Sequence, residues 1–333
     1  MILICFGTRP EYIKLKPLMD KMNGCIKYQT LFTGQHQDLI NIDSNIDYTI
    51  TINEGGNRLD CIVASSMNAL NFDNKKISAV LVQGDTTSAY AMALSAFHNK
   101  IPVIHLEAGL RTYNFNHPYP EETNRQMISR IASIHLCPTQ TAKQNLIAER
   151  VGGIVKVVGN TVLDNLSDIR TTSKKQVLIT MHRRENHDKL YEWFTNLDKL
   201  AQKYNDYIFT LPIHPNPNVK QHRDILKHVR VVDPMSHETL LQYLANCSYV
   251  ITDSGGIQEE AAFLKKPCIV CRKETERSEG IGNFSMLCKD PNKLYSAFKK
   301  SQKLKMHGAC PYGNGKSCDK IVKILKKLKL GVS

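Results

Sequence analysis

Residues Asp253-Ser-Gly-Gly-Ile-Gln-Glu-Glu260 carry the sharpest chemical pattern in the chain. They lie between a short apolar run, Tyr249–Thr252, and a helical pattern read from Ile257 to Leu264. A strand, a glycine turn and a helix start in that order make an anion site. Backbone N–H groups point outward there, and the helix dipole favours negative charge. Ser254, Gly255 and Gly256 are the candidates to hold a phosphate through backbone N–H groups. Glu260, one turn inside the helix, can accept hydrogen bonds from the hydroxyls of a ribose beyond it. Taken alone, the stretch is equally an ordinary helix start, with Asp253 or Ser254 as cap and the acids serving the dipole.

Carboxylates recur at corresponding strand ends. Ala79-Val-Leu-Val-Gln-Gly-Asp85 delivers Asp85 after an apolar run, and Pro102-Val-Ile-His-Leu-Glu-Ala-Gly109 delivers Glu107 in the same way. Asp85 can also be read as the N-cap of the helix that Thr86, Thr87 and Ser88 open. Two acids at matching places on successive strands point to a site at the carboxyl edge of a sheet. Glu121 and Glu122 follow Pro120 at another helix start, where first-turn acids also complement the dipole. The bases are placed in a similar way. Arg9 and Lys14 follow the Ile2–Phe6 strand, where they suit an anionic ligand or are simply solvated. His182-Arg-Arg184 ends the strand Gln176–Thr180, His214 follows the strand Tyr207–Pro212, and Arg272 and Arg277 follow Pro267–Cys271. His182 and Glu185 lack a third residue at metal-ligand spacing.

The elements that position these residues alternate strand and helix throughout 333 residues, a length that suits two cores. The expected fold class is α/β, as two doubly wound Rossmann-like domains facing a cleft. Residues 1–168 make the first and 171–314 the second, with a boundary in the basic stretch Arg170–Lys175. Further strands are expected at Tyr28–Thr33, Asp47–Ile52 and Val229–Asp233, and helices at Asn57–Phe72 and His237–Ala245. After the helix that starts at Glu121, strand, helix, strand and helix are expected in turn to about Asp168. Ten of the net +13 charge arise between Lys293 and Lys329, where eleven lysines face one aspartate. Ile321, Ile324, Leu325 and Leu328 recur there at helical spacing, so an amphipathic helix at about 317–331 docks on the body with its lysines outward. No aromatics of the kind a single-strand binder uses interleave the lysines, and no nucleic-acid partner is expected. No apolar run approaches the roughly 20 residues of a membrane span, and Ile2–Phe6 is too short for a signal peptide, so a cytoplasmic protein with no membrane partner is expected. The ten cysteines form no disulfide framework. Cys268 and Cys271 are three apart on a strand and face opposite sides.

Taken in order, ten stretches resemble the non-hydrolysing UDP-N-acetylglucosamine 2-epimerases over nearly the whole chain. They are Gly7-Thr-Arg-Pro-Glu11, Gly84-Asp-Thr-Thr87, His105-Leu-Glu-Ala-Gly-Leu-Arg111, Pro120-Glu-Glu122 with Asn124-Arg125, Gly159-Asn-Thr161, His182-Arg-Arg-Glu185, His214-Pro-Asn-Pro217, Asp253–Ala261, Thr275-Glu-Arg277 and Pro311-Tyr-Gly313. The resemblance implies a GT-B-like fold, a homodimer, and a C-terminal helix returning to the first domain. It implies reversible inversion at C2 of a UDP-linked 2-acetamido sugar, through elimination of UDP to a 2-acetamidoglucal and readdition, with no cofactor and no metal. The UDP-sugar is the expected partner. By the same resemblance Asp85, Glu107, Glu121 and His182 are catalytic. Arg9, Lys14, His214, Ser254, Gly255, Gly256, Glu260, Arg272 and Arg277 bind substrate. Ser278 stands where the family usually has proline, in Glu276-Arg-Ser-Glu279. Gln35, His36, Arg183 and His214 match in part a second, allosteric UDP-sugar site found in many members, with Asn57-Arg58 where an Arg-Gln pair is common. Other readings are a C2 epimerase of a 6-deoxy-L sugar, a GT-B glycosyltransferase, a hydrolysing epimerase or a non-catalytic UDP-sugar sensor.

Overall fold

The computed structural model describes residues 1–35, 46–53, 55–68 and 77–331. The chain divides into two compact units, Met1–Asn165 with Gly313–Ser333, and Leu166–Tyr312.

In the first unit the chain runs β1 (Ile2–Phe6), α1 (Arg9–Met22), β2 (Tyr28–Phe32), β3 (Tyr48–Thr49), α2 (Arg58–Asn68), β4 (Ala79–Gln83), α3 (Thr87–His98), β5 (Val103–Leu106), α4 (Glu121–Ile131), β6 (Ile134–Cys137), α5 (Gln140–Ala148) and β7 (Ile154–Val157). The seven strands form one parallel sheet in the order β3-β2-β1-β4-β5-β6-β7. Strands buried on both faces read as continuous apolar runs, which is how β1 and β4 are written. The period of two sorts their side chains. Ile2, Ile4 and Phe6 pack with Leu15, Leu18 and Met22 of α1 on one face, and Leu3 and Cys5 pack with Ala89, Met92 and Ala93 of α3 on the other.

The second unit runs β8 (Gln176–Thr180), α6 (Leu190–Lys203), β9 (Ile208–Pro212), α7 (Pro217–Lys220), β10 (Arg230–Val232), α8 (His237–Asn246), β11 (Tyr249–Thr252), α9 (Gly255–Phe263), β12 (Cys268–Val270), β13 (Ser285–Leu287) and α10 (Leu294–Ser301). Its sheet is also wholly parallel, in the order β10-β9-β8-β11-β12-β13. Trp193, Phe194 and Leu197 of α6 centre its core against Val177, Ile179 and Phe209. The last helix, α11 (Ser317–Lys327), belongs to the first unit. It buries Cys318, Ile321, Val322 and Leu325 against α1 and β1 and leaves Lys316, Lys320, Lys323, Lys326 and Lys327 exposed. Burying each large side chain there contributes about 2 kcal/mol.

Several local expectations need correction. The strand at Asp47–Ile52 is only the two-residue β3; just before it the Asp47 carboxylate accepts from the Thr30 N–H and hydroxyl at 2.8 and 2.9 Å. The helix expected after β7 is a 3-10 turn, Thr161–Leu166, at the end of the first unit. The end of the helix expected over Asn57–Phe72 lies outside the described residues beyond Asn68. Among the described residues no helix is long and apolar enough to cross a membrane.

Candidate functional site

Both sheets reverse winding direction at one pair of strands, β1 and β4 in the first and β8 and β11 in the second. Open α/β sheets bind ligands at the carboxyl side of such a switch. The candidate residues of each unit gather there.

In the first unit Thr8 N-caps α1, and Glu11, three residues on, turns back. Its carboxylate accepts from the N–H of Gly7 at 3.1 Å, the N–H and hydroxyl of Thr8 at 2.8 and 2.7 Å, and the Thr86 hydroxyl at 2.8 Å. Burial dominates and pushes its pKa up to about 7, against these donors. Arg9 is exposed beside this turn. Lys14 lies one turn along α1 and meets Glu107, Nζ to Oε2 at 2.5 Å. Glu107 also accepts from the Gln83 amide. Its φ is +66°, a left-handed conformation that costs an L residue about 1 kcal/mol. Strain of this kind collects at working side chains.

Asp85 ends the neighbouring strand, and the structure replaces the capping reading of it. The cap of α3 is Thr86, whose hydroxyl accepts from Ala89 N–H at 3.0 Å. Asp85 instead pairs with the guanidinium of Arg125 on α4. Arg125 also reaches Glu122 at 3.2 Å. Glu121 opens α4, one turn before Arg125. Glu122 is fully buried and holds the preceding loop, accepting from Thr112 and Tyr113 N–H at 2.9 and 3.1 Å.

In the second unit Asp253 is not a helix cap. It is fully buried and accepts from His182 N–H at 2.9 Å, Arg183 N–H at 2.8 Å and Asn186 Nδ2 at 3.1 Å. It therefore fastens the end of β11 to the end of β8. The His182 ring stacks on that of His214, which follows β9, with centroids 5.1 Å apart and planes 19° apart. Burial lowers the His182 pKa and the Asp253 carboxylate opposes the shift, so the neutral imidazole prevails. Ser254 takes the N-cap position of α9 without a side-chain cap bond. The first N–H groups of a helix have no intrahelical partners, so those of Gly255 and Gly256 lie at a positive helix end.

Gly255 is required there by close approach. A Cβ would stand 2.4 Å from Nη1 of Arg277. Arg277 pairs with Glu259 at 2.7 Å and with Glu276. Arg272 pairs with Glu185 at 2.7 Å and Glu276 at 3.0 Å. Both arginines are buried. The reading of the acids after Gly256 as merely serving the dipole gives way as well, because Glu259 and Glu260 are buried and paired. Gln258 donates to Arg277 O at 2.9 Å, and Glu260 faces His237 Nε2 at 3.4 Å. Cys268 and Cys271 are buried thiols with pKa values raised by desolvation.

Of the residues matched to an allosteric site, Gln35 accepts from the Ser88 hydroxyl at 2.7 Å and through its own carbonyl from Arg58 at 2.7 Å. His36 lies outside the described residues. Among the described residues no group of three or more His, Cys, Asp or Glu is placed to hold a metal ion.

The sequence reading missed Glu11, Gln83, Asn124, Arg125 and Asn186. Glu11 had a signal, since Thr8-Arg-Pro-Glu11 has capping-box spacing. Arg125 lies four residues after Glu121, which places both on one helix face. Asn186 had none, because its partners Asp253 and the Cys271 carbonyl are distant in sequence.

Two wholly parallel sheets, each with polar residues grouped at its switch point, make this a GT-B-like α/β protein. A family model described as UDP-N-acetylglucosamine 2-epimerase matches residues 21–326. The UDP-N-acetylglucosamine 2-epimerase of Campylobacter jejuni is 37% identical, over 98% of this chain and 98% of its own. That of Salmonella borreze is 34% identical, over 96% and 97%. The crystal structure of UDP-GlcNAc 2-epimerase from Neisseria meningitidis bound to UDP-GlcNAc superposes with a TM-score of 0.88 at 32% identity, covering 98% of this chain and 99% of that one. The chain belongs to the UDP-N-acetylglucosamine 2-epimerase family, whose members are isomerases acting on carbohydrates.

Proposed function

We propose that the protein interconverts UDP-N-acetylglucosamine and UDP-N-acetylmannosamine without hydrolysis. The reaction removes the C2 proton while the C1–O bond to UDP breaks, and the electron pair left at C2 forms the C1=C2 bond of a 2-acetamidoglucal. UDP then adds back at C1 and a proton is delivered to the opposite face of C2. The C2 hydrogen is weakly acidic, so its removal needs a positioned carboxylate, and inversion needs acid–base groups on both faces. We assign these tasks to Asp85, Glu107 and Glu121 of the first unit.

Departure of UDP builds negative charge on the diphosphate, which fixed cations and N–H dipoles stabilise. The second unit supplies the N-terminus of α9 at Ser254, Gly255 and Gly256, with Glu260 for the ribose. We assign His182, His214, Arg272 and Arg277 of the same unit to the diphosphate as well. A diphosphate beside the neutral imidazole of His182 would favour its protonation, which suits a group that follows charge on the leaving group. The protein works as a homodimer in the cytoplasm on this reading. Light scattering of the purified protein checks the dimer.

The observation that carries the reading is the pairing at the first switch point. Glu107, in a left-handed conformation, is bound to Lys14 at 2.5 Å, and Asp85 ends the adjoining strand. The test is proton NMR of UDP-N-acetylglucosamine incubated with the protein in deuterated water. Deuterium at C2 together with UDP-N-acetylmannosamine is expected. Free sugar, or no exchange, would overturn the assignment.

A further inference from the structure

Asp85 leaves β4 through Gly84, whose φ is +71°. That turn points two successive carbonyls, of Gly84 and Asp85, out of the strand ladder. A side chain captures each. The Nε2 of His105 lies 2.7 Å from Gly84 O, and Nδ2 of Asn124 donates to Asp85 O at 3.0 Å. His105 sits on β5, two residues before Glu107, and Asn124 on α4, one residue before Arg125. The two carbonyls flanking the Asp85 backbone are therefore held from both neighbouring elements.

A carbonyl only accepts, so the ring nitrogen facing Gly84 carries the imidazole proton. Burial keeps this ring neutral, with its pKa pushed down to about 3. Its Nδ1 is then a bare acceptor, and it meets no hydrogen-bond partner among the described residues. His105 is fully buried between Ile104 and Leu106. An apolar side chain would suit that position better, because a buried polar atom without a partner costs stability.

We infer that His105 and Asn124 are positioning residues for proton transfer, clamping the Gly84 and Asp85 carbonyls so that the Asp85 carboxylate is aimed at the sugar. The inference rests on the proposed epimerase reading. His135 supplies an internal comparison. It lies beside His105 in the register of β6 and β5, and its Nε2 meets Gly152 O at 3.0 Å. Its Nδ1 also has no partner among the described residues, but Gly152 flanks no carboxylate of the site. Burial lowers its pKa as well.

The experiment compares kcat, KM and thermal melting of the wild type with His105→Leu, His105→Gln, Asn124→Ala and His135→Leu, using UDP-N-acetylglucosamine. A displacement of about 1 Å at the reacting group costs on the order of 100-fold in rate. His105→Leu and Asn124→Ala are therefore expected to lower kcat about 100-fold with KM near that of the wild type. His105→Gln, which keeps a donor, should recover part of the loss. His135→Leu should match His105→Leu in melting temperature yet keep wild-type kcat. Equal kcat in wild type, His105→Leu and Asn124→Ala would overturn the inference while leaving the epimerase reading intact. So would losses of kcat that only follow the melting temperature, His135→Leu included. If His105→Leu does not fold, Asn124→Ala, a helix-favouring change on α4, decides alone. A wild type that turns over no substrate would overturn the reading and the inference together.

Discussion

Asp253→Asn is the most informative single change, because the structure fixes what it removes. The Asp253 carboxylate accepts from His182 N–H, Arg183 N–H and Asn186 through Oδ2, and from His182 N–H again through Oδ1 at 3.1 Å. An amide has one oxygen. Placed where Oδ2 stood, it keeps weaker bonds from His182, Arg183 and Asn186 but sets an NH2 where Oδ1 accepted, 3.1 Å from the His182 nitrogen, donor against donor. Hydrogen bonds to a charged group contribute about 1.5–3 kcal/mol, against about 0.5–1.5 for neutral ones. The change thus forfeits about 1 kcal/mol at each retained bond, and easier burial of the neutral side chain offsets part of this. A net loss of about 2 kcal/mol follows. Trp193 is the one tryptophan in the chain and is buried in the core of the same unit, so its fluorescence reports unfolding of that unit. With a urea slope of about 2 kcal/mol per molar, the midpoint falls by about 1 M. UDP affinity falls with it as the ends of β8 and β11 separate. Asp253→Ala, which strands every donor, should lower the midpoint about twice as far. An Asp253→Asn midpoint within about 0.2 M of the wild type would refute the claim that this carboxylate holds the two strand ends together.

Asp85→Asn in the first unit should lower epimerisation by about 10²–10⁴-fold while calorimetric UDP binding is unchanged; near-normal turnover removes Asp85 from the mechanism. The Glu11 carboxyl titrates near 7 in the fold against an ordinary 4.5. Its contribution to stability is fully present below 4.5 and is lost as pH rises through about 7, an amplitude of about 3 kcal/mol. Melts followed by circular dichroism across that range should lose this dependence in Glu11→Gln, and an unchanged profile would assign it to another group. Gly255→Ala drives a methyl into the Arg277 guanidinium, loosens its pair with Glu259, and should cost up to about 3 kcal/mol in the Trp193 transition with weaker UDP binding. An alanine variant as stable as the wild type would show that the guanidinium moves aside freely.

Much of this protein is written locally. The apolar runs at Ile2–Phe6, Ala79–Gln83 and Gln176–Thr180 are strands because a parallel sheet covered on both faces tolerates little else. Asp85 and Glu107 could be placed at strand ends because each directly follows such a run, and the lysine-rich end could be read as a docked helix because Ile321 and Leu325 share one face. Short elements without a period escaped, such as the three residues of β13. Nor did the sequence show what the polar residues bind. The acids after Gly256 gave the same signal as any dipole-serving first turn until the fold brought Arg277 to Glu259. Asp253 matched a helix cap until His182 and Arg183, about seventy residues earlier, arrived at its carboxylate. His105 was one polar residue in a strand until Gly84 turned its carbonyl toward it. Side-chain period and turn chemistry act over a few residues and are legible in order along the chain. Hydrogen bonds and ion pairs join groups that only chain folding makes neighbours, so the elements came from the sequence and the partners of its charges from the tertiary structure.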